Sequence, residues 1–194
     1  MRRVCVFCGS KSGSRPAYAD AARNLAKAIV GRGLGLVYGA GHIGLMGVLA
    51  DAALQAGGEV IGVIPQALVD KELAHPGLTQ MQIVDSMHER KARMADLSDA
   101  FVALPGAYGT ADEFFEILTW AQLGLHAKPI GLLNVEGFFD PLLAWLDHAV
   151  VEGFLRASHR QLILQSTEAN SLLDLLLHAH PAPMSPKWID DEDR

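Results

Sequence analysis

The segment with the clearest structural signal reads Phe101-Val-Ala-Leu-Pro-Gly-Ala-Tyr-Gly-Thr-Ala-Asp-Glu-Phe-Phe-Glu116. Its apolar start, residues 100–104, is typical of a strand buried on both faces. Pro105, Gly106 and Gly109 break this strand, and apolar residues then recur at helical spacing. A strand, a glycine turn and a helix in this order present backbone N–H groups and a helix N-terminus to a phosphate. The segment therefore predicts a phosphate site.

Two carboxylates follow this turn, Glu113 and Glu116, one helical turn apart and so on nearly the same face. A carboxylate beside an anion site is electrostatically costly, which indicates chemistry on a group attached to the phosphate. Acids in the first turns of a helix also gain about 0.3–1 kcal/mol from the helix dipole without any function. Phe114 and Phe115 between them indicate partial burial, which favours a site over a solvated face.

Length and composition are those of an ordinary globular protein, with 194 residues, of which 50% are hydrophobic and 20% charged. This length predicts a single domain over residues 1–180, followed by a poorly packed tail over residues 181–194. The net charge of -6 gives no electrostatic reason to expect nucleic acid or an anionic membrane as a partner. No apolar run reaches the length of a membrane span, and the N-terminus lacks the pattern of a signal peptide, so we expect a cytoplasmic protein.

Neither the cysteines nor the histidines form a recognisable metal or redox motif. Cys5 and Cys8 spell Cys-x-x-Cys on a predicted strand, where residues three apart point to opposite faces. We predict two reduced, packed thiols. His88-Glu89 resembles the start of a zincin motif, but Ala92 occupies the position of the second histidine. We therefore expect no metal and no cofactor.

Apolar periodicity and breaker residues predict strands that alternate with helices. The predicted strands are residues 4–7, 34–38, 59–64, 81–84, 100–104, 129–133 and 162–164. Helices are predicted over residues 16–32, 139–152 and 167–178. Three more helices are predicted: one that ends near residue 56, one that is capped by residue 85 or 86 and runs to residue 97, and one that begins at residue 110. Residues 66–80 are expected to be irregular.

This alternation predicts an α/β fold, a Rossmann-like doubly wound parallel sheet with helices on both faces. Ligands of such sheets bind at the carboxyl ends of the strands, near a switch point in strand order. The loops after Phe7, Tyr38 and Leu104 are therefore expected to face one crevice.

Two further patterns have an ordinary structural reading beside the functional one. The glycine-rich residues 39–47 are loosely dinucleotide-like, but a tight connection between strand and helix has the same composition. Arg90, Lys91 and Arg93 form a solvated basic face, or Arg90 and Lys91 reach a phosphate or ribose in the crevice. Sequence spacing leaves both alternatives open.

Two motifs taken together resemble the paired signature of the Lonely Guy family, cytokinin-activating phosphoribohydrolases that are often mislabelled as lysine decarboxylases. Met87-His-Glu-Arg-Lys91 precedes Pro105-Gly-Ala-Tyr-Gly-Thr-Ala-Asp-Glu113, which is similar to the family pattern Pro-Gly-Gly-x-Gly-Thr-x-x-Glu. Ala107 replaces the second glycine of this pattern, and Ala40 replaces a glycine in the earlier loop, residues 38–47. Alanine fails where the backbone needs positive φ. The resemblance covers about residues 4–165 and includes the segments 7–10, 38–47, 119–124 and 128–134.

The resemblance implies hydrolysis of the N-glycosidic bond of N6-modified adenosine 5′-monophosphates, with AMP as a further candidate, to free base and ribose 5-phosphate. It implies that Arg90 and Glu113 are the catalytic pair, and that the protein is a homodimer or a larger homo-oligomer. The nucleotide-binding residues that it implies are Glu72, Met87, Lys91, Gly106, Ala107, Tyr108, Gly109, Thr110, Glu116 and Thr119.

The physical chemistry fits this assignment. Glycosidic cleavage passes through an oxocarbenium-like state, which an ionised Glu113 can stabilise. Glu113 can also orient the attacking water as a general base. Arg90 is expected to neutralise the phosphate or to position Glu113, because a guanidinium is a poor proton donor.

Three other functions fit the sequence less well. A non-catalytic nucleotide-binding or carrier module of the same fold would keep the glycine loops but would not need Arg90 and Glu113 together. A nicotinamide oxidoreductase would need a convincing Gly-x-Gly-x-x-Gly with a following acidic residue. A pyridoxal decarboxylase would need a Schiff-base lysine in a phosphate cup, and no lysine of this chain has that context.

Overall fold

The computed structural model describes residues 1–71 and 73–179. Within these residues, seven parallel strands form one sheet in the order β4-β3-β2-β1-β5-β6-β7. The strands are β1 (Arg3–Phe7), β2 (Gly35–Tyr38), β3 (Val60–Pro65), β4 (Gln80–Val84), β5 (Ala100–Ala103), β6 (Ile130–Leu133) and β7 (Ile163–Ser166).

Helices follow the strands and cover both faces of the sheet. They are α1 (Pro16–Gly31), α2 (Gly44–Gln55), α3 (Gln66–Val69), α4 (Met87–Asp96), α5 (Tyr108–Gln122), α6 (Asp140–Val151), α7 (Ala157–Arg160) and α8 (Ala169–His178), with a 3-10 turn at Val135–Gly137. Helices α1, α2 and α8 pack in the hydrophobic core of one face, and α4, α5 and α6 pack in that of the other. The predicted Rossmann-like doubly wound sheet is confirmed.

The strand β1 lies at the centre of the sheet, paired with β2 on one side and β5 on the other. The chain builds outward from β1 to β4 and then returns to pair β5 with β1. This reversal of strand order places the switch point between the carboxyl ends of β1 and β5. Residues 4–7 of β1 and all of β5 are buried, as their apolar runs predict, while Arg3 at the start of β1 is half-buried.

The predicted element positions agree with the structure to within a few residues, and the differences have simple causes. α5 begins at Tyr108 rather than Thr110, because the glycine turn already has helical hydrogen bonding. Residues 66–80, expected to be irregular, contain the one-turn helix α3 and the first residue of β4. A single turn buries no residue there, so it leaves no periodicity to detect. Glu72 and the predicted tail, 181–194, lie outside the described residues.

Cys5 and Cys8 are both buried and unpaired, which confirms the prediction of packed thiols. Burial raises the pKa of each thiol well above its usual value. No helix in residues 1–71 and 73–179 combines the length and the apolar character that crossing a membrane requires.

Candidate active site

A cavity of about 480 Å³ lies at the carboxyl ends of β1 and β5, at the switch point. The loops after β1 and β5 line it directly, as predicted. The segment after β2 contributes through the first turn of α2, where Leu45 and Met46 line the wall. The remaining lining comes from Arg90 of α4, Glu113 of α5, Tyr18 of α1 and Phe138.

The loop after β1 is fastened to the loop after β5 by close backbone contact. The Gly9 N–H donates to the Pro105 carbonyl at 3.1 Å, and the Gly9 carbonyl accepts from the Leu45 N–H at 3.1 Å. A Cβ on Gly106 would lie 3.0 Å from the Gly9 nitrogen and 2.0 Å from Thr110 Oγ1. Glycine is required at position 106 because the two loops and the helix meet without room for a side chain.

The N-terminus of α5 opens into this cavity. Ala107 is its N-cap and provides no side-chain hydrogen bond, so the first N–H groups of the helix have no cap from that residue. Gly106, Ala107, Gly109 and Thr110 line the cavity around them. A helix end with uncapped N–H groups carries partial positive charge and suits an anion such as a phosphate.

The backbone explains how the two alanine departures are accommodated. Ala107 has φ of -118°, a value that any residue adopts, so glycine is not needed there. Ala40 has φ of 59° and is fully buried, so it adopts the left-handed conformation that usually favours glycine. Its carbonyl accepts a hydrogen bond from the His75 N–H at 2.8 Å, which fixes this geometry. Ala40 is therefore a strained position at the entrance to the glycine-rich segment.

Arg90 and Glu113 form an ion pair on the wall of the cavity. Arg90 Nη1 lies 3.3 Å from Glu113 Oε1, and each side chain is 9% exposed. The other nitrogens of the guanidinium donate to backbone carbonyls, Nε to Val63 at 3.1 Å and Nη2 to Gly39 at 3.2 Å. Arg90 is thus held at three points, and it is oriented toward Glu113.

The position of Arg90 is set by the start of α4. Ser86 caps this helix, accepting a hydrogen bond from the Glu89 N–H at 3.1 Å, while Glu89 Oε2 accepts one from the Asp85 N–H at 2.9 Å. Glu89 thus bonds the residue before the cap, Asp85, rather than the N–H of Ser86 itself, so the arrangement resembles a capping box without being one. Of the two caps that the sequence allows, the structure uses Ser86. The cap sets where α4 begins, and Arg90 follows one turn later on the face toward the sheet.

Burial raises the pKa of Glu113 to about 7. Arg90 acts in the opposite direction and favours the ionised carboxylate, Asp112 raises the pKa, Lys91 lowers it, and Glu116 raises it. A carboxyl group with a pKa near neutrality changes protonation in the working range of most enzymes.

Lys91 belongs to a second ionic cluster beside the cavity. Its ammonium lies 3.0 Å from Asp112 Oδ2 and 3.1 Å from Glu116 Oε2, and the lysine side chain is 9% exposed. Burial lowers the pKa of Lys91, but the contacts of its ammonium with the carboxylates of Asp112 and Glu116 outweigh that effect, so the pKa is raised overall. Glu116 Oε2 is buried without a hydrogen bond of good geometry, although it faces the ammonium. Lys91 and Glu116 adjoin the cavity without lining it.

The other residues expected to bind nucleotide are more scattered. Met87 is 44% exposed, and its Sδ lies 3.9 Å from Arg90 Nη1. Tyr108 is 95% exposed and does not line the cavity. Thr119 donates its hydroxyl to the Phe115 carbonyl at 2.7 Å and lies in a separate small groove. Their roles stay predictions.

The loop after β1 was expected to face the crevice, but none of its residues was named as a site residue, and Tyr18 and Phe138 were not predicted to line it. The loop after β1 contributes residues 8–13, and Tyr18 and Phe138 face each other edge to face with ring centroids 5.8 Å apart. The match of residues 7–10 to the family pattern was a signal for the loop. Tyr18 and Phe138 are 120 residues apart in the chain, and no local pattern connects them.

Comparison with known proteins gives a consistent result. Residues 46–176 match a family model described as "Possible lysine decarboxylase". A protein of Oryza sativa subsp. japonica named probable cytokinin riboside 5′-monophosphate phosphoribohydrolase is 56% identical over 175 residues, which are 90% of this chain and 77% of that relative. A cytokinin riboside 5′-monophosphate phosphoribohydrolase of Arabidopsis thaliana is 51% identical over 175 residues, with the same coverage.

Solved structures share the fold at lower sequence identity. The molybdenum cofactor carrier protein of Chlamydomonas reinhardtii superimposes with a TM-score of 0.69 at 20% identity, covering 92% of this chain and 99% of that one. A molybdenum cofactor binding protein of Rippkaea orientalis has a TM-score of 0.68 at 18% identity, covering 91% and 96%. These two likenesses show the fold alone.

The site geometry, the family model and the identity to the two plant relatives agree with the paired motifs around Arg90 and Glu113. The chain therefore belongs to the Lonely Guy family, the cytokinin riboside 5′-monophosphate phosphoribohydrolases.

Proposed function

We propose that this protein hydrolyses the N-glycosidic bond of N6-modified adenosine 5′-monophosphates, and of AMP, to give the free base and ribose 5-phosphate. The observation that carries the proposal is the buried ion pair of Arg90 and Glu113, which faces a cavity next to the N-terminus of α5. Relatives at about half identity bear the name of this activity.

The phosphate binds at the N-terminus of α5, between the loops after β1 and β5. The uncapped N–H groups there and the hydroxyl of Thr110 are donors suited to phosphate oxygens. Glu113 lies one turn further along the same helix. A nucleotide anchored by its phosphate therefore brings its ribose toward this carboxylate, and positioning of this kind lowers the entropic part of the barrier.

Cleavage breaks the bond between C1′ of the ribose and N9 of the purine, whose electron pair leaves with the base. Positive charge develops on the ribose, and the ionised Glu113 stabilises it. Water adds to C1′ and loses a proton, which Glu113 accepts, and the departing base takes up a proton from solvent. Arg90 favours the ionised form of Glu113 and orients its carboxylate, because two backbone carbonyls hold the guanidinium in place beside it.

The proposal is tested by measuring release of free base from AMP and from isopentenyladenosine 5′-monophosphate. We expect turnover by the wild type and a loss of at least about a thousandfold in Glu113→Gln, since the transition-state charge loses its carboxylate. Glu152→Gln is the matched control, because Glu152 is exposed at the end of α6. Wild-type turnover in Glu113→Gln would refute the mechanism.

The alternative, a non-catalytic carrier of the same fold, predicts that AMP binds without release of base in both proteins. The buried Arg90–Glu113 pair argues against it, because a binding module gains little from a carboxylate near an anion site. The preference among bases, the homo-oligomeric state and the cytoplasmic location stay predictions.

A further inference from the structure

We propose that Lys11 is the cation that recognises the 5′-phosphate, closing the phosphate site from the loop after β1. This inference rests on the proposed function, because it assigns a partner to the phosphate of the same substrate. Lys11 is an exposed side chain that lines the cavity together with Ser10, Gly106 and Thr110.

The first argument is the state of the other cations near the cavity. Arg90 is paired with Glu113 and donates to two backbone carbonyls. Lys91 is paired with Asp112 and Glu116. Arg15, after the same loop, is paired with Glu136 at 3.0 Å. Among the described residues, Lys11 lines the cavity and has neither an ion pair nor a hydrogen bond, so its charge is available to a ligand.

The second argument is that the backbone of Lys11 is fixed against the cavity. A Cβ on Gly44 would lie 2.3 Å from the Ser10 carbonyl carbon and 2.5 Å from the Lys11 nitrogen, so the start of α2 touches this loop. A Cβ on Gly9 would lie 3.0 Å from the Lys11 carbonyl oxygen and 3.4 Å from the Gly106 Cα. These contacts hold position 11 beside the turn that begins α5, while the lysine stem stays free to move.

The third argument is charge balance. A nucleoside monophosphate carries close to two negative charges at neutral pH, and the proposed reaction needs an ionised Glu113 nearby. The helix end offers about half a positive charge. Arg90 is already balanced by Glu113, so one further cation is needed at the phosphate, and a lysine with three donors on a flexible stem meets that need.

The test compares Lys11→Gln with Lys27→Gln, which removes the same charge from an exposed site in α1 away from the cavity. We expect Lys11→Gln to raise KM for AMP about tenfold and to flatten its dependence on salt, because one charge-assisted contact is lost. Lys11→Arg is expected to restore most of the affinity. Inhibition by adenosine, which has no phosphate, is expected to stay unchanged.

Calorimetric titration with ribose 5-phosphate separates this inference from the proposed function. Weaker binding in Lys11→Gln, with Lys27→Gln equal to wild type, supports the role of Lys11 whether or not the wild type releases base. Equal binding in all three proteins, or no binding to the wild type, overturns it. Absence of base release alone would refute the proposed function and leave this result standing.

Discussion

Arg90 Nη1 lies 3.3 Å from Glu113 Oε1, and this contact joins α4 and α5, two helices that pack on the same face of the sheet. Both side chains are almost fully buried, so each charge depends on the other for compensation. The pair has two consequences that can be measured. The pair places an ionisable carboxylate where the glycosidic bond is expected to lie. The pKa of that carboxylate then depends on its burial and on its contact with Arg90, both of which the fold sets.

The pH dependence of activity follows from the Glu113 pKa of about 7, which burial sets and Arg90 partly offsets. The reaction needs the carboxylate, so kcat/KM for AMP is expected to rise with pH from 5 to 8 and to level off above the pKa. The second ionisation of the substrate phosphate, near pH ~6, adds a separate and lower inflection. A kcat/KM that is flat or falls over this range would contradict the assignment of Glu113.

The contribution of Glu113 to stability has the opposite dependence on pH. The native pKa of Glu113 is raised above its value of 4.5 in the unfolded chain, so the native state binds more protons between pH 4.5 and 7. Glu113 therefore lowers stability progressively over that window, by about 3 kcal/mol once pH exceeds 7. The free energy of unfolding of Glu113→Gln, relative to wild type, is expected to increase by that amount from pH 4.5 to 8. Urea titrations at several pH values measure it, and a constant difference would exclude a raised pKa.

A substitution at Gly39 tests the position of Arg90 without removing the charge of Arg90 or of Glu113. A Cβ at position 39 would lie 1.8 Å from Arg90 Nη2, so Gly39→Ala must displace the guanidinium. We expect kcat/KM to fall by about ten- to a hundredfold, as a shift of about 1 Å in a positioned group does. Gly31→Ala, where a Cβ meets nothing within 4 Å, is the control. Full activity in Gly39→Ala would show that the position of Arg90 is not critical.

A substitution at Gly106 tests the proposed phosphate site in the loop after β5 in the same way. A Cβ there would lie 2.0 Å from Thr110 Oγ1, which must move together with the first turn of α5. We expect Gly106→Ala to weaken binding of ribose 5-phosphate at least tenfold while circular dichroism stays native. Unaltered affinity would mean that the phosphate binds elsewhere.

Ala40 tests the strained departure from the family pattern. The φ of 59° at Ala40 disfavours a β-branched side chain. Gly62 packs closely against Ala40, since a Cβ built on Gly62 would lie 2.6 Å from the Ala40 Cβ, so a larger side chain at position 40 has no room. Ala40→Val is expected to lower the free energy of unfolding by about 2 kcal/mol or more. In Ala40→Gly the relief of strain and the lost methyl group oppose each other, so the change should stay within about 1 kcal/mol. Thermal denaturation of both variants distinguishes these cases, and a valine as stable as wild type would refute the strain.

Local patterns in the sequence predict most of the fold, because hydrophobic periodicity and breaker residues act over a few neighbouring residues. The buried run before Pro105, the glycine turn and the helical spacing after it locate β5 and α5 to within two residues. The alternation of strands and helices then requires a parallel sheet, and the paired motifs identify the family. Short elements such as α3 and α7 escape prediction, since one turn has too few residues to show a period.

The candidate site is only partly a matter of sequence. Arg90 and Glu113 could be named from their motifs, yet their separation of 3.3 Å, the burial of both and the pKa of about 7 depend on how α4 and α5 pack on the sheet. The same holds for Thr119, which the motif groups with the site and the fold places in another groove. Pairing Lys91 with Asp112 and Glu116, while Lys11 stays unpaired, is likewise a tertiary result.

The sequence by itself determined the order of strands and helices and the glycine turns, because hydrophobic period and backbone freedom act over a few residues. The two catalytic candidates came from the resemblance of its motifs to the family. Tertiary structure alone decided which charges meet, which are buried and which line the cavity. Those properties depend on distances between segments that are far apart in the chain, 120 residues in the case of Tyr18 and Phe138, and on the loss of water around them, which no local pattern encodes.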